Sequence, residues 1–162
     1  MIVVGLTGSI GMGKSSTAEM FRRLGAPVHD SDAAVHSIYG GPQAGKIEEL
    51  FPGVVENGRV NREILTRRVL GDKAALTRLE AVVHPLVAED RDGFLVAHRA
   101  RGTPLVVLDI PLLFEIGGVE RVDVVVVVSA PYAIQRERVL ARPGMTEAKF
   151  DAIVARQVPD DV

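Results

Sequence analysis

Apolar residues run almost unbroken through positions 2–7 and then recur at helical spacing at Ala18, Met20, Phe21 and Leu24, before Gly25 and Pro27 close the segment. A continuous apolar run fits a strand covered on both faces of a parallel sheet, so the opening predicts a strand, a glycine turn and a helix over 14–24. Residues 28–30 predict a second short strand and 32–39 a second helix, ended by Gly40, Gly41 and Pro42. Two strands around one helix imply a right-handed crossover. From residue 43 to residue 100 the character changes. Ile47, Leu50, Ile64, Leu65, Val69, Leu70, Leu76 and Leu79 keep helical spacing with no strand-like run, which predicts a helical insert. Pro85 predicts that one helix stops at His84 and another begins, the second ending at Gly102 and Pro104. β-Branched, nearly all-apolar runs at 105–110 and 122–128 predict two more central strands. Helical patterns over 132–141 and 146–157 follow, parted by Pro143 and Gly144. The expected class is α/β with a central parallel sheet.

Composition narrows the range of functions. A chain of 162 residues, 47% hydrophobic and 25% charged, suits one compact domain with a small insert and excludes disordered, collagenous and coiled-coil readings. A net charge of -2 argues against a nucleic-acid partner, which needs a dense basic surface. The absence of cysteine removes disulfides, thiolate zinc sites and thiol nucleophiles, and the expected location is the cytoplasm. No basic segment precedes the apolar start and no cleavage pattern follows it, so no signal peptide is expected. The apolar runs fall far short of the roughly 20 residues a membrane span needs, so no membrane partner is expected either. Fifteen arginines stand against four lysines, a bias that suits fork-like contacts with phosphate and that a genome's base composition produces as well.

Candidate chemistry begins where the first strand ends. Gly8-Ser9-Ile10-Gly11-Met12-Gly13-Lys14-Ser15 fits the spacing G-x-x-x-x-G-K-[ST]. In that pattern glycines let backbone N–H groups face a phosphate chain, and the helix start adds its positive dipole end. Lys14 reaches the β- and γ-phosphates, and Ser15 can hold Mg²⁺. Gly8, Gly11, Met12, Gly13, Lys14, Ser15 and Ser16 are therefore the expected nucleotide-binding residues, with Mg²⁺ as cofactor. Asp30 and Asp32 end the second strand, on the rim where open α/β sheets bind ligands. Either can cap the following helix; with a phosphate loop on the same rim, Asp32 is the expected carboxylate for a hydroxyl proton. Leu105-Val106-Val107-Leu108-Asp109 is an apolar strand closed by a carboxylate, which places Asp109 at Mg²⁺ through water. The stretch that follows, Pro111-Leu112-Leu113-Phe114-Glu115, reads either as packing over the sheet edge or as a substrate-facing turn. Arg138 and Arg142 share one helix face just before a Pro-Gly break. They form either a solvated face or a lid that stabilises charge on a transferring phosphoryl group, and the phosphate loop favours the lid. His84 beside Pro85 fits a helix-boundary hydrogen bond as well as it fits a functional role.

Taken in order, Gly5-Leu6-Thr7-Gly8-Ser9-Ile10-Gly11 leading into Gly13-Lys14-Ser15, then Asp30-Ser31-Asp32, Arg78-Leu79-Glu80 before His84-Pro85, Leu108-Asp109-Ile110-Pro111-Leu112-Leu113-Phe114-Glu115, and Gln135 with Arg138 and Arg142, resemble the dephospho-CoA kinase family. The resemblance covers the whole chain. It implies a three-layer P-loop kinase fold with a central parallel sheet, a helical acceptor-binding insert and a helical lid. The implied reaction is ATP-dependent phosphorylation of the 3′-hydroxyl of dephospho-CoA to coenzyme A and ADP, so ATP and dephospho-CoA are the expected partners. By the same carry-over Asp32, Lys14, Arg138 and Arg142 are catalytic, and Asp32, His84, Leu112 and Glu115 meet the acceptor. Ser15 and Asp109 meet the metal. The nucleotide core falls at 1–39 and 101–131, the acceptor region at 40–100 and the lid at 132–162. Met12 and Ser16 replace the small hydroxyl residue and the threonine usual in the family, without removing a backbone N–H or the Ser15 hydroxyl. The family usually runs on past the position of Val162 to a fifth strand and a closing helix, with adenine contacts between them. By this reading either more of the protein follows or that strand and helix are missing, and no adenine contact is assigned. The sequence lacks a guanine-reading Asn-Lys-x-Asp element, which argues against a GTPase switch. Another small-molecule kinase of the same fold, acting on a nucleoside monophosphate or a sugar acid, and a non-catalytic nucleotide-binding module are the alternatives.

Overall fold

The apolar opening forms β1 (Ile2–Thr7), buried from Val3 onward, and the chain then turns into α1 (Lys14–Arg23) and β2 (Val28–Asp30). The computed structural model describes residues 1–158. After β2 come α2 (Ser31–Gly40), α3 (Ala44–Leu50), the short strands β3 (Val55–Glu56) and β4 (Arg59–Val60), α4 (Arg62–Val69) and the long α5 (Lys73–Ala100). The chain continues through β5 (Leu105–Asp109), β6 (Val124–Val127), α6 (Tyr132–Leu140) and α7 (Glu147–Val154). Two compact units result, one formed by Met1–Asp30 with the chain from His98 onward, the other by Ser31–Ala97.

In the first unit the sheet order is β2-β5-β1-β6 and every pairing is parallel. Parallel pairing needs crossovers, and α1 supplies one between β1 and β2. The two central strands β1 and β5 carry the run of buried valines and leucines, as strands covered on both faces must. Val4, Leu6, Ala18 and Val107 form one core cluster, with Phe21 and Val28 packed against it. Among the described residues β6 pairs only with β1, and its Val124 and Val127 are exposed. α7 starts where the Thr146 hydroxyl accepts the N–H of Lys149.

The second unit is built around Ile47, Val54, Leu65, Leu79, Val83 and Leu86. Two local expectations change here. First, the insert is not wholly helical: β3 and β4 form a hairpin, with Val55 opposite Val60 and Glu56 opposite Arg59. Asn57 and Gly58 both have positive φ, 52° and 76°, the signature of a two-residue type I′ turn that Asn-Gly favours. Second, no helix break occurs at His84 and Pro85; α5 runs straight through. Ala75, Leu79, Val83 and Leu86 lie buried on one stripe that spans the proline. Their burial outweighs the lost bond, and because Ala81 and Pro85 are both exposed, water can satisfy the Ala81 carbonyl that the ring leaves without an amide donor. Among the described residues no helix is long and apolar enough to cross a membrane.

Candidate active site

In a parallel sheet all strands end on the same rim, and here the chemistry gathers there. Leu6 and Asp30 each lie opposite Asp109 on the two sides of β5, and Val127 lies opposite Thr7. The loop 8–13 leaves the end of β1 and the segment 128–131 leaves the end of β6, so both rise from this edge.

The loop is shaped by close approach. A Cβ on Gly8 would come within 2.5 Å of the Val128 carbonyl, and one on Gly11 within 2.5 Å of Val139 Cγ2 on α6. The N–H of Met12 donates to the Ser9 carbonyl at 3.2 Å, and buried Met12 turns its Sδ to the N–H of Ala130 at 3.1 Å. Gly13 is the N-cap of α1, and no side chain caps that helix. The first-turn N–H groups at Lys14, Ser15 and Ser16 are thus left for an anionic ligand at the positive end of the helix.

Lys14 reaches across this loop. Its Nζ donates to Asp109 Oδ1 at 2.5 Å, and the carboxylate side chain is only 3% exposed. A buried carboxylate needs such a partner. A polyphosphate entering the loop would compete with Asp109 for the ammonium. Arg138 is the second cation at the loop: its Nη1 donates to the Gly11 carbonyl at 3.4 Å and lies 3.6 Å from the point where a Gly13 Cβ would be. Arg142 sits past the end of α6, exposed. Arg136 instead faces α7, its Nε donating to Glu147 Oε2 at 3.1 Å.

The structure brings Gly8, Gly11, Met12, Gly13, Lys14, Asp109 and Arg138 together, with Ser15 and Ser16 exposed at the start of α1. Asp30 ends β2 with its Oδ2 3.9 Å from Arg22 Nη2. Asp32, two residues further on, is exposed in the first turn of α2, and His84 is exposed on α5; both belong to the second unit. Beyond β5, Leu113 is wholly buried and Leu112 exposed. Thr7 Oγ1 donates to the Pro111 carbonyl at 3.4 Å, and Glu115 Oε1 accepts the N–H of Val158 at 3.0 Å. Among the described residues no three His, Cys, Asp or Glu side chains gather as metal ligands.

Two residues given no role from the sequence touch the loop. Gln135 Nε2 donates to the Ile10 carbonyl at 2.9 Å, and Gln157 Oε1 accepts the Ile10 N–H at 3.0 Å. A signal for the first does exist: Gln135 occupies the buried stripe of α6 one turn before Val139, where an apolar residue is the ordinary choice.

The comparisons with known proteins agree with this geometry. A family model described as dephospho-CoA kinase (CoaE) matches residues 2–162. A dephospho-CoA kinase of Mesorhizobium japonicum is 63% identical over 161 residues, covering 99% of this chain and 82% of that protein. One from Paramagnetospirillum magneticum is 57% identical over 162 residues, covering 99% and 76%. A crystal structure from Thermus thermophilus superposes with TM-score 0.82 at 38% identity, over 99% of this chain and 82% of that one. Dephospho-CoA kinase from Campylobacter jejuni, at 24% identity and TM-score 0.65, shares the fold over 95% of this chain. A phosphate loop set on a parallel sheet, a lysine–carboxylate pair beside it and a match along nearly the full length lead to one conclusion: the chain belongs to the dephospho-CoA kinase family.

Proposed function

We propose that this chain transfers the γ-phosphoryl group of ATP to the 3′-hydroxyl of the dephospho-CoA ribose, giving coenzyme A and ADP. The acceptor oxygen forms a bond to the γ-phosphorus as the bridging P–O bond to the β-phosphate breaks, and the hydroxyl proton passes to a carboxylate. The observation that carries this reading is the loop 8–13 with Lys14 and Arg138 both at it and Asp109 beneath.

The loop amides and Lys14 bind the phosphate tail and fix its direction, which supplies much of the catalysis in phosphoryl transfer. Arg138 and Arg142 offset charge on the moving group, a role supported for Arg138 by its bond to the Gly11 carbonyl. Asp32 orients the acceptor hydroxyl and takes its proton; its place just past the rim residue Asp30 supports this role. His84, Leu112 and Glu115 are the further acceptor contacts assigned. Mg²⁺ fits the donor set: it is usually held by one or two protein oxygens together with substrate phosphates, and the Ser15 hydroxyl and the Asp109 carboxylate are such donors beside the loop. When bound, it would neutralise charge on the β- and γ-phosphates. With no cysteine to oxidise, the chain suits a reducing compartment, and we assign the activity to the cytoplasm.

The test is to incubate the chain with ATP, Mg²⁺ and dephospho-CoA beside a panel of nucleoside monophosphates and sugar acids, and to read products by mass. A gain of one phosphate on dephospho-CoA is expected. ADP formation with another acceptor and none with dephospho-CoA would replace this reading by a kinase of different substrate, and no ADP with any acceptor would favour a binding module.

A further inference from the structure

Residues 9–12 form a β-turn closed by the Met12 N–H to Ser9 carbonyl bond. Gly11 at its third position has φ +78°, whereas Ile10 at its second is not among the positive-φ residues, so the turn is of type II. Types I and II differ mainly in the central peptide, which is rotated by about half a turn while the flanking chain hardly changes. Which way the Ile10–Gly11 peptide faces is therefore a nearly separate choice, and in this protein α6 makes it.

Gln135 Nε2 donates to the Ile10 carbonyl at 2.9 Å, from a side chain only 3% exposed. In a trans peptide the C=O and N–H point in opposite directions, so holding the Ile10 carbonyl against α6 turns the Gly11 N–H away from it. The preceding peptide is held as well, because the Ile10 N–H donates to Gln157 Oε1 at 3.0 Å. Both polar backbone groups of Ile10 thus end on glutamine side chains, 125 and 147 residues away in sequence. An apolar residue at 135 would fill the same stripe of α6 but leave the Ile10 carbonyl without its donor. A carbonyl released in this way and turned toward a phosphate chain would set like charge against like and withdraw an N–H donor.

We propose that Gln135 is a positioning residue for ATP. It locks the central peptide of the 9–12 turn with its carbonyl toward α6, and Gln157 secures the peptide before it. Because Arg138 donates to the Gly11 carbonyl from the same helix, the seating of α6 and the direction of the loop amides are set together. This rests on reading residues 8–15 as the phosphate cradle.

The test compares wild type with Gln135→Met, Gln157→Met, Gln157→Glu and Lys14→Ala, measuring the Kd for ATP by calorimetry, KM for each substrate, kcat and melting temperature. Methionine matches glutamine in length and lacks the amide; glutamate at 157 keeps an acceptor for the Ile10 N–H. Gln135→Met is expected to raise the Kd and KM for ATP about five- to fiftyfold, the cost of an unsatisfied carbonyl. The KM for dephospho-CoA should stay within about twofold, a split that mere loss of folded enzyme would not give. Gln157→Met should weaken ATP in the same sense, and Gln157→Glu should restore it. Unchanged ATP affinity in folded Gln135→Met, equal loss for both substrates, or Gln157→Glu as impaired as Gln157→Met would overturn the proposal. If Gln135→Met does not fold, the Gln157 pair decides, since partly exposed Gln157 lies past the end of α7. Should Lys14→Ala bind ATP like wild type, the cradle reading and this proposal fall together; should it lose ATP while Gln135→Met does not, this proposal alone falls.

Discussion

In the proposed function Lys14 serves two partners with one ammonium. Its Nζ is bonded to the buried Asp109 carboxylate, and the same group is the one proposed to bind a phosphate tail. Removing it has two consequences: Lys14→Ala should raise the Kd for ATP about tenfold or more and should also melt at lower temperature, because the buried Asp109 carboxylate loses its ammonium partner. Calorimetric titration and a thermal scan read the two effects, and an unchanged Kd would contradict the first. Asp32 is the opposite case, exposed and at a helix start, so its removal should leave the fold intact. Asp32→Asn is expected to lower kcat by roughly 10²- to 10⁴-fold with ATP affinity within about twofold of wild type. Wild-type turnover in that variant would leave Asp32 only a first-turn carboxylate at the positive end of α2.

Elements in the second unit are held by a few polar devices at their ends. Glu48, near the end of α3, accepts the N–H groups of Gly53 at 2.7 Å, Val54 at 3.1 Å and Val55 at 2.8 Å, leading the chain into β3. These bonds, that of Gly53 foremost, hold its carboxyl below the usual range. A folded pKa below the unfolded value means that the stabilisation is complete above about 4.3 and is lost as pH falls through the folded value. Glu48→Gln should therefore melt below wild type at neutral pH, with the gap closing in thermal scans below about pH 4; a gap independent of pH would count against the charge. Tyr39 shows the opposite sense: burial pushes its phenol up, opposed in part by Arg62, whose guanidinium lies 5.9 Å from the ring centre. In α5, Pro85 forfeits a helical bond on an exposed face. Interior proline costs up to about 3 kcal/mol relative to alanine, so Pro85→Ala should raise the melting temperature by roughly 2–8 °C. A decrease would show that the proline has a packing role on α5.

At the scale of the whole molecule the residues given roles in the proposed function fall into two units, and ligand linkage separates them experimentally. ATP at about a hundred times its Kd stabilises the state that binds it by about 2.7 kcal/mol. Hydrogen exchange should accordingly slow at residues 8–16 and along α6 when ATP is added, with little change in the core around Ile47 and Leu65. Protection confined to that second core would contradict the placement of the nucleotide. The same division marks what could be read in advance. The phosphate loop, the strand before it and Asp109 at the end of β5 were legible because each rests on a short contiguous pattern, an apolar run or a fixed spacing that is the same in any context. The hairpin at 55–60 escaped because two-residue strands have no periodicity to show, although Asn57-Gly58 carried its turn. The continuity of α5 through Pro85 was decided by burial on one stripe, a quantity that the local rule for proline does not contain. What the sequence by itself determined is the class of fold and the order strand, glycine loop, helix at its start, since backbone freedom, helix starts and side-chain type act between neighbours. Only the tertiary structure decided which way the loop peptides face and what Lys14 pairs with, because those bonds join residues about a hundred positions apart and depend on how the helices pack.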